Sequence, residues 1–128
     1  MKPVFFIAAS IFGGLSVMMG AFGAHALKAK IGPAIQAYET GVKYQFYHAL
    51  ALLIIGLLVD KYGYSYLSMA GWAFIVGTTF FSGSLYLLST KQLLGIEHWK
   101  WLGPITPIGG AILICGWLLL LFAFITKK

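Results

Sequence analysis

Side chains that can both donate and accept hydrogen bonds lie at the ends of otherwise apolar stretches of this chain. These residues are His25, His48, Tyr44, Gln45, Tyr47, Ser82, Ser84 and Tyr86. Neutral imidazole, amide and hydroxyl groups can satisfy one another in a closed network, or they can bind and move a ligand. Both interpretations are open at this stage: a structural network, or a binding site.

Catalytic chemistry has little support among the same residues. A metal site needs three or four ligands, and only His25 and His48 could approach each other, since His98 lies in a connection and Cys115 deep in an apolar run. Two histidines could in principle ligate one haem. A serine nucleophile at Ser82 or Ser84 would need a base and an orienting acid, and no acidic residue lies in an apolar run. We therefore predict no catalytic residue, no metal and no cofactor; a membrane enzyme or cofactor carrier stays as an alternative.

The composition places the chain in a membrane. Of its 128 residues 60% are apolar and 9% are charged, too few charges to cover a soluble domain. The net charge of +6 comes from lysines at the ends of the apolar runs, where anionic lipid headgroups favour them. Membrane lipids are therefore expected partners, and nucleic acid is not.

Four apolar runs are long enough to span a bilayer. They cover about residues 3–26, 41–59, 67–89 and 104–125, and a short interfacial helix beginning near Pro33 is expected between the first two. The first run resembles a signal peptide, but Gly13, Gly14 and Ser16 interrupt it, so we expect it to be retained. The predicted fold is all-α: one transmembrane domain over residues 1–128, a four-helix up-down bundle.

Alternating span directions bring the polar clusters to one face. Span one ends, span two begins, span three ends and span four begins on the same side, where all the polar residues named above lie. Unpaired polar groups in hydrocarbon are costly, so they are expected to pair. We predict that His25 or His48 contacts at least one of the other cluster members Tyr44, Gln45, Ser82, Ser84 and Tyr86.

Small residues and prolines indicate close helix packing near the same face. The residues concerned are Gly20, Gly23, Pro104, Pro107, Gly109 and Gly110. Glycine lets helix backbones approach closely in a membrane. Gly109, Gly116 and Ala123 also repeat every seven residues, a spacing suited to left-handed packing against a neighbouring helix.

Four ordered blocks resemble a known family. GAFGAHALK, YQFYHALALL, FSGSLYLL and GPITPIGGAILICGW are similar to the signature blocks of domain of unknown function family 423, small bacterial membrane proteins with relatives resembling transmembrane protein 256. The resemblance covers nearly the whole chain and implies a four-helix integral protein of the plasma membrane. Because that family has no agreed biochemical activity, no catalytic residue is carried over.

A non-enzymatic function is the leading hypothesis. We expect a structural or partner-binding protein that supports membrane and envelope integrity. Its partner could be a second copy of the same chain, in a homo-oligomer, or another membrane protein. The alternative is a small transporter or channel subunit that uses the polar face as a vestibule.

The orientation in the membrane is predicted from the lysines on its two sides. Their numbers are nearly equal, with Lys2, Lys61, Lys127 and Lys128 on the side of the termini and five on the opposite side. With the family resemblance added, both termini are expected in the cytoplasm.

Overall fold

The chain is helical almost throughout the residues that the computed structural model describes, which are 3–59, 61 and 64–126. In chain order the helices are α1 (Pro3–Phe22), α2 (Lys28–Ile31), α3 (Ile35–Leu58), α4 (Tyr64–Ser89), α5 (Lys91–Leu94) and α6 (Leu102–Ile125). These described residues contain no strand. Lys2, Lys127 and Lys128, used above for orientation, lie outside them.

Three helical stretches are long and apolar enough to cross a membrane. They are Pro3–Leu58, Tyr66–Ser89 and Leu102–Ile125, and the first holds both α1 and α3. Large apolar side chains remain exposed along their outer faces, among them Val17, Leu57, Ile114 and Ile125. Such a surface fits hydrocarbon rather than water. The chain is an all-helical membrane protein, as the composition predicts.

The connection between α1 and α3 differs from the prediction. α1 continues into a π-helical turn, Gly23–Leu27, and α2, and a 3₁₀ turn then leads directly into α3. The expected interfacial helix is therefore not separate from span two, since α3 runs without a break from Ile35. The physical reason is that no proline follows Pro33 until residue 104. The chain reverses instead at Gly32, whose φ of +56° favours glycine.

α1 and α3 pack antiparallel through small residues. Their facing pairs fall in opposite order along the two helices: a Cβ added at Gly13 would lie 3.8 Å from Ala49 and one at Gly20 would lie 3.5 Å from Val42. The central core, which α4 and α6 also reach, includes Phe5, Leu52, Ile55 and Phe74, none with exposed surface.

α4 and α6 meet along the seven-residue seam. Gly109 lies against the backbone of Phe81, Gly116 lies against the Phe74 ring, and Ala123 is buried in a cluster with Leu67. These contacts run in opposite order along the two helices, so α4 and α6 are antiparallel. Pro107 lies inside α6 without ending it.

One face of α3 points into the protein and positions most of the polar residues. Its buried positions include Tyr38, Gly41, Gln45, His48, Leu52 and Ile55. They recur at alternating intervals of three and four, the spacing of one helix face. α3 thus turns Gln45 and His48 into the protein, whereas Tyr44 and Tyr47 of the same helix are exposed.

Candidate functional site

Gln45 joins three helices through one side-chain amide. Its Nε2 donates a hydrogen bond to the Phe12 carbonyl of α1 at 2.9 Å, and its Oε1 accepts one from the Tyr86 hydroxyl of α4 at 2.6 Å. The Phe12 carbonyl can only accept, which fixes the orientation of the amide. Gln45 is 5% exposed. It is the centre of the polar cluster.

Ser82 ties α4 to α3 one helical turn from Gln45. Its hydroxyl donates to the Gly41 carbonyl at 2.7 Å, and the bond is buried. Gly41 allows this approach, because a Cβ there would lie 3.0 Å from the Tyr86 ring and 3.3 Å from the Ser82 carbonyl oxygen. The glycine and the serine thus act together, one by its missing side chain and one by its hydroxyl.

Tyr38 makes the matching tie from α3 to α1, although the sequence analysis did not select it. Its hydroxyl donates to the Met19 carbonyl at 2.6 Å, and its ring packs against the Tyr86 ring at a centroid distance of 5.3 Å. Gly23 lies directly on the Tyr38 ring. The signal that could have identified Tyr38 is its position three residues before Gly41 on the buried face of α3.

His48 is held between its own helix and α6. Its Nδ1 is 2.7 Å from the Tyr44 carbonyl, and its Nε2 is 3.1 Å from the indole Nε1 of Trp117. A carbonyl only accepts and an indole N–H only donates, so the ring is neutral with its proton on Nδ1. The ring also meets the Phe74 ring edge-on at 5.0 Å. Every polar atom of His48 is therefore used.

Ser84 and Thr106 connect α4 to α6. Their hydroxyl oxygens are 2.5 Å apart, and the Ser84 hydroxyl also donates to the Phe81 carbonyl at 2.9 Å. Because the Ser84 hydroxyl donates its proton to the Phe81 carbonyl, the Thr106 hydroxyl is the donor in the hydrogen bond between the two side chains. Thr106 falls in one of the sequence blocks named above, but its role was not predicted.

His25 does not join the cluster, contrary to the expectation that it would meet His48 at similar depth. It is exposed, and its ring has no hydrogen bond with any residue that the structure describes. The reason is the π-helical turn, which buries Gly23 and Leu27 and leaves His25 on the outer side. Tyr44 and Tyr47 are also exposed. His48 contacts Tyr44 by a hydrogen bond to its backbone carbonyl and by stacking on its ring at a centroid distance of 6.3 Å.

Some of the glycines and prolines that were predicted to pack between helices lie at helix contacts, and others are exposed. Gly20 and Gly109 lie at helix contacts, Gly110 lies at ordinary distance from the Phe81 ring, and Pro104 and Pro107 are exposed.

Among the buried side-chain oxygen and nitrogen atoms in the described part of the chain, the Thr78 hydroxyl oxygen alone has no hydrogen-bond partner. In the same part, no three His, Cys, Asp or Glu side chains come together as metal ligands.

These contacts define a class of protein: a helical membrane protein in which buried polar side chains link neighbouring helices. The chain belongs to the family described as "Protein of unknown function (DUF423)", which matches residues 19–110. The matched region contains the whole of the polar cluster except Trp117 and the Phe12 carbonyl.

Relatives from several bacteria are similar along nearly their whole length. The UPF0382 membrane protein YwdK of Bacillus subtilis strain 168 is 43% identical over 122 residues, covering 94% of each chain. The UPF0382 membrane protein SAB0533 of Staphylococcus aureus strain bovine RF122 / ET3-1 is 45% identical, over 88% of this chain and 91% of its own. The UPF0382 membrane protein SH2409 of Staphylococcus haemolyticus is 40% identical, over 94% of this chain and 93% of its own. No solved structure matches the chain significantly.

Proposed function

We propose that this protein is a non-enzymatic structural protein of the plasma membrane that supports membrane and envelope integrity. One observation carries the proposal: Gln45 uses its amide to join α1 and α4 to α3. Both polar atoms of this side chain are hydrogen-bonded to neighbouring helices, so the side chain holds the helices together. Lipids are the expected partners, together with a second copy or another membrane protein.

The neighbouring polar groups support the same proposal. Tyr38, Ser82, His48 and Ser84 each have a hydrogen-bond partner on another helix. An unpaired polar group in hydrocarbon costs several kcal/mol, roughly, so each pairing favours the closed arrangement. Catalysis or transport would instead need some of these groups to face an open space.

We further propose that the chain crosses the membrane four times, as an up-down bundle. α1, the shortest of the four long helices, has 20 residues. At a rise of about 1.5 Å per residue that is roughly 30 Å, the thickness of the hydrocarbon core. The antiparallel contacts of α1 with α3 and of α4 with α6 support alternating directions.

Both termini are proposed to lie in the cytoplasm. Lysine numbers on the two sides are nearly equal, so the positive-inside tendency is weak here. A cysteine placed at position 128, in a Cys115→Ser background, should resist a membrane-impermeant thiol reagent added to intact cells and react after lysis. Labelling in intact cells would reverse the orientation.

A transport vestibule has weaker support than the structural function. Tyr47 lines a shallow groove with Ser16 and Val42, whereas Tyr86 lines a different cavity with Met19 and Tyr38. His48 lines neither of them, and its Nε2 accepts a hydrogen bond from Trp117. A vestibule joining Tyr47, His48 and Tyr86 would require these contacts to open.

Deleting the gene should raise the permeability of the cell membrane to a normally excluded dye, most clearly under osmotic or detergent stress. The wild-type gene should restore the barrier, and the Gln45→Leu variant should restore it only in proportion to the protein that accumulates. Dye uptake and protein level are measured in the same cells. Unchanged permeability on deletion would contradict the proposal. A variant at normal level with no rescue would point to a binding function.

A further inference from the structure

An apolar cavity of about 430 Å³ lies beside the polar cluster, among the end of α1, the end of α4 and α5. Its walls are mainly carbon, with Phe22, Leu27, Leu87 and Leu94 among them. That volume lies within the range of about 300–1,000 Å³ that small-molecule sites occupy. Tyr38 and Tyr86 also line it, but their hydroxyls are directed at Met19 and Gln45. The cavity is therefore suited to hydrocarbon.

A second cavity of about 360 Å³ adjoins the first and has a different character. The two share Lys30 and Leu93, and the second is also lined by Lys91, Ser89 and Gln92. Two lysines, a serine and a glutamine thus line a space next to the apolar cavity. The pair of cavities has the two-part character of a lipid, with an apolar portion and an adjacent polar portion.

The two lysines are uncompensated. Neither Lys30 nor Lys91 has an ion pair or side-chain hydrogen bond with any residue that the structure describes. Glu39 and Glu97, the acidic residues nearest this end in the topology, are exposed and line neither cavity. The polar cavity therefore carries net positive charge, which favours an anionic group.

We infer that these joined cavities bind one anionic phospholipid, with an acyl chain in the apolar cavity and the phosphate between Lys30 and Lys91. A lipid fits better than a soluble phosphate because the polar cavity shares Lys30 and Leu93 with an apolar one of comparable size. The Gln92 amide adds a neutral donor that can hydrogen-bond headgroup oxygens, whereas the Ser89 hydroxyl already donates to the Tyr86 carbonyl. The inference rests on the membrane embedding and does not depend on the proposed role in envelope integrity.

The test is lipid titration of the purified full-length protein by native mass spectrometry. Phosphatidylglycerol and phosphatidylcholine with identical acyl chains are the two probes. Lys30→Gln and Lys91→Gln should each weaken phosphatidylglycerol binding about fivefold, and the double variant roughly 25-fold, because a lysine near a headgroup contributes a factor of about that size. Phosphatidylcholine binding should change little in these variants. Ala26→Phe, which fills the apolar cavity, should weaken both lipids.

Matched variants identify the results that would overturn the proposal. Lys28→Gln changes an exposed lysine that lines neither cavity, and Ala21→Phe enlarges an exposed residue of α1 outside the cavity; both should bind as wild type does. Equal loss from Lys28→Gln and Lys30→Gln would mean that only general surface charge attracts the lipid. Glycerol phosphate binding as tightly as phosphatidylglycerol, with Ala26→Phe having no effect, would assign the lysines to a soluble phosphate instead.

Discussion

Gly109→Ala is expected to destabilise the protein by roughly 3 kcal/mol, the upper part of the usual range for overpacking. The added Cβ would meet the backbone nitrogen and Cα of Phe81, and the carbonyl carbon of Phe80 at 3.0 Å. Backbone atoms inside a helix cannot rotate away as a flexible side chain can. The substitution therefore forces α4 and α6 apart along the seam on which they pack.

The neighbouring glycine is the control for this prediction. A Cβ at Gly110 would lie 3.6 Å from the Phe81 ring, which is ordinary contact distance. Gly110→Ala should therefore leave the free energy of unfolding within about 0.5 kcal/mol of wild type. The two variants are compared by SDS titration of the purified protein in mixed micelles. Equal stability of Gly109→Ala and Gly110→Ala would show that the close approach of α4 and α6 is wrong.

Gln45→Leu is the second change with a large expected effect. Leucine is similar in size but leaves the Tyr86 hydroxyl without its hydrogen-bond partner. It also removes the Gln45 hydrogen bond to the Phe12 carbonyl, which still accepts one from the Ser16 hydroxyl. A buried polar group left unpaired costs about 1–3 kcal/mol. We therefore expect Gln45→Leu to lower the free energy of unfolding by at least about 1 kcal/mol, and to reduce the amount of folded protein in the membrane.

Gln36 offers a matched comparison on the same helix. It is exposed near the start of α3, and its side chain makes no hydrogen bond with the described residues. Gln36→Leu should change stability by no more than about 0.5 kcal/mol. A Gln45→Leu protein as stable as the Gln36→Leu protein would mean that the Gln45 amide does not join the helices.

The helices and the location of most polar residues could be predicted from the sequence alone. Apolar runs of sufficient length indicate spans, and counting the direction of each span brings Gln45, Ser82, Ser84 and Tyr86 to one end of the molecule. The seven-residue repeat of Gly109 and Gly116 likewise indicates a packing seam. These features depend on periodicity and chain direction, which residue order records directly.

The partners of each polar side chain could not be predicted in the same way. Periodicity defines which side of a helix faces inward, but not how far each neighbouring helix is rotated about its own axis. We predicted that His25 or His48 would contact at least one of Tyr44, Gln45, Ser82, Ser84 and Tyr86. His48 does contact Tyr44, but its Nε2 meets Trp117, from a part of α6 that has almost no other polar group. Side-chain types also do not indicate which backbone carbonyls accept hydrogen bonds, as those of Phe12, Met19 and Gly41 do.

His25 illustrates a second limit. If α1 continued as an ordinary α-helix through residues 23–27, the helical periodicity of α1 would determine which way His25 points. The π-helical turn changes the register at this point. Gly23 and Leu27 become buried and His25 exposed. No residue type marks a π turn reliably, so the sequence alone does not separate His25 from the buried cluster.

The most direct test of the account is a double-mutant cycle between Gln45 and Tyr86. Gln45→Leu, Tyr86→Phe and the double variant are compared with wild type by SDS titration. Because both single changes break the same hydrogen bond, the double variant should cost less than the sum of the two, with a coupling of about 0.6–1.7 kcal/mol, the range for such bonds between membrane helices. Additive effects within about 0.3 kcal/mol would contradict the claim that paired polar side chains hold these helices together.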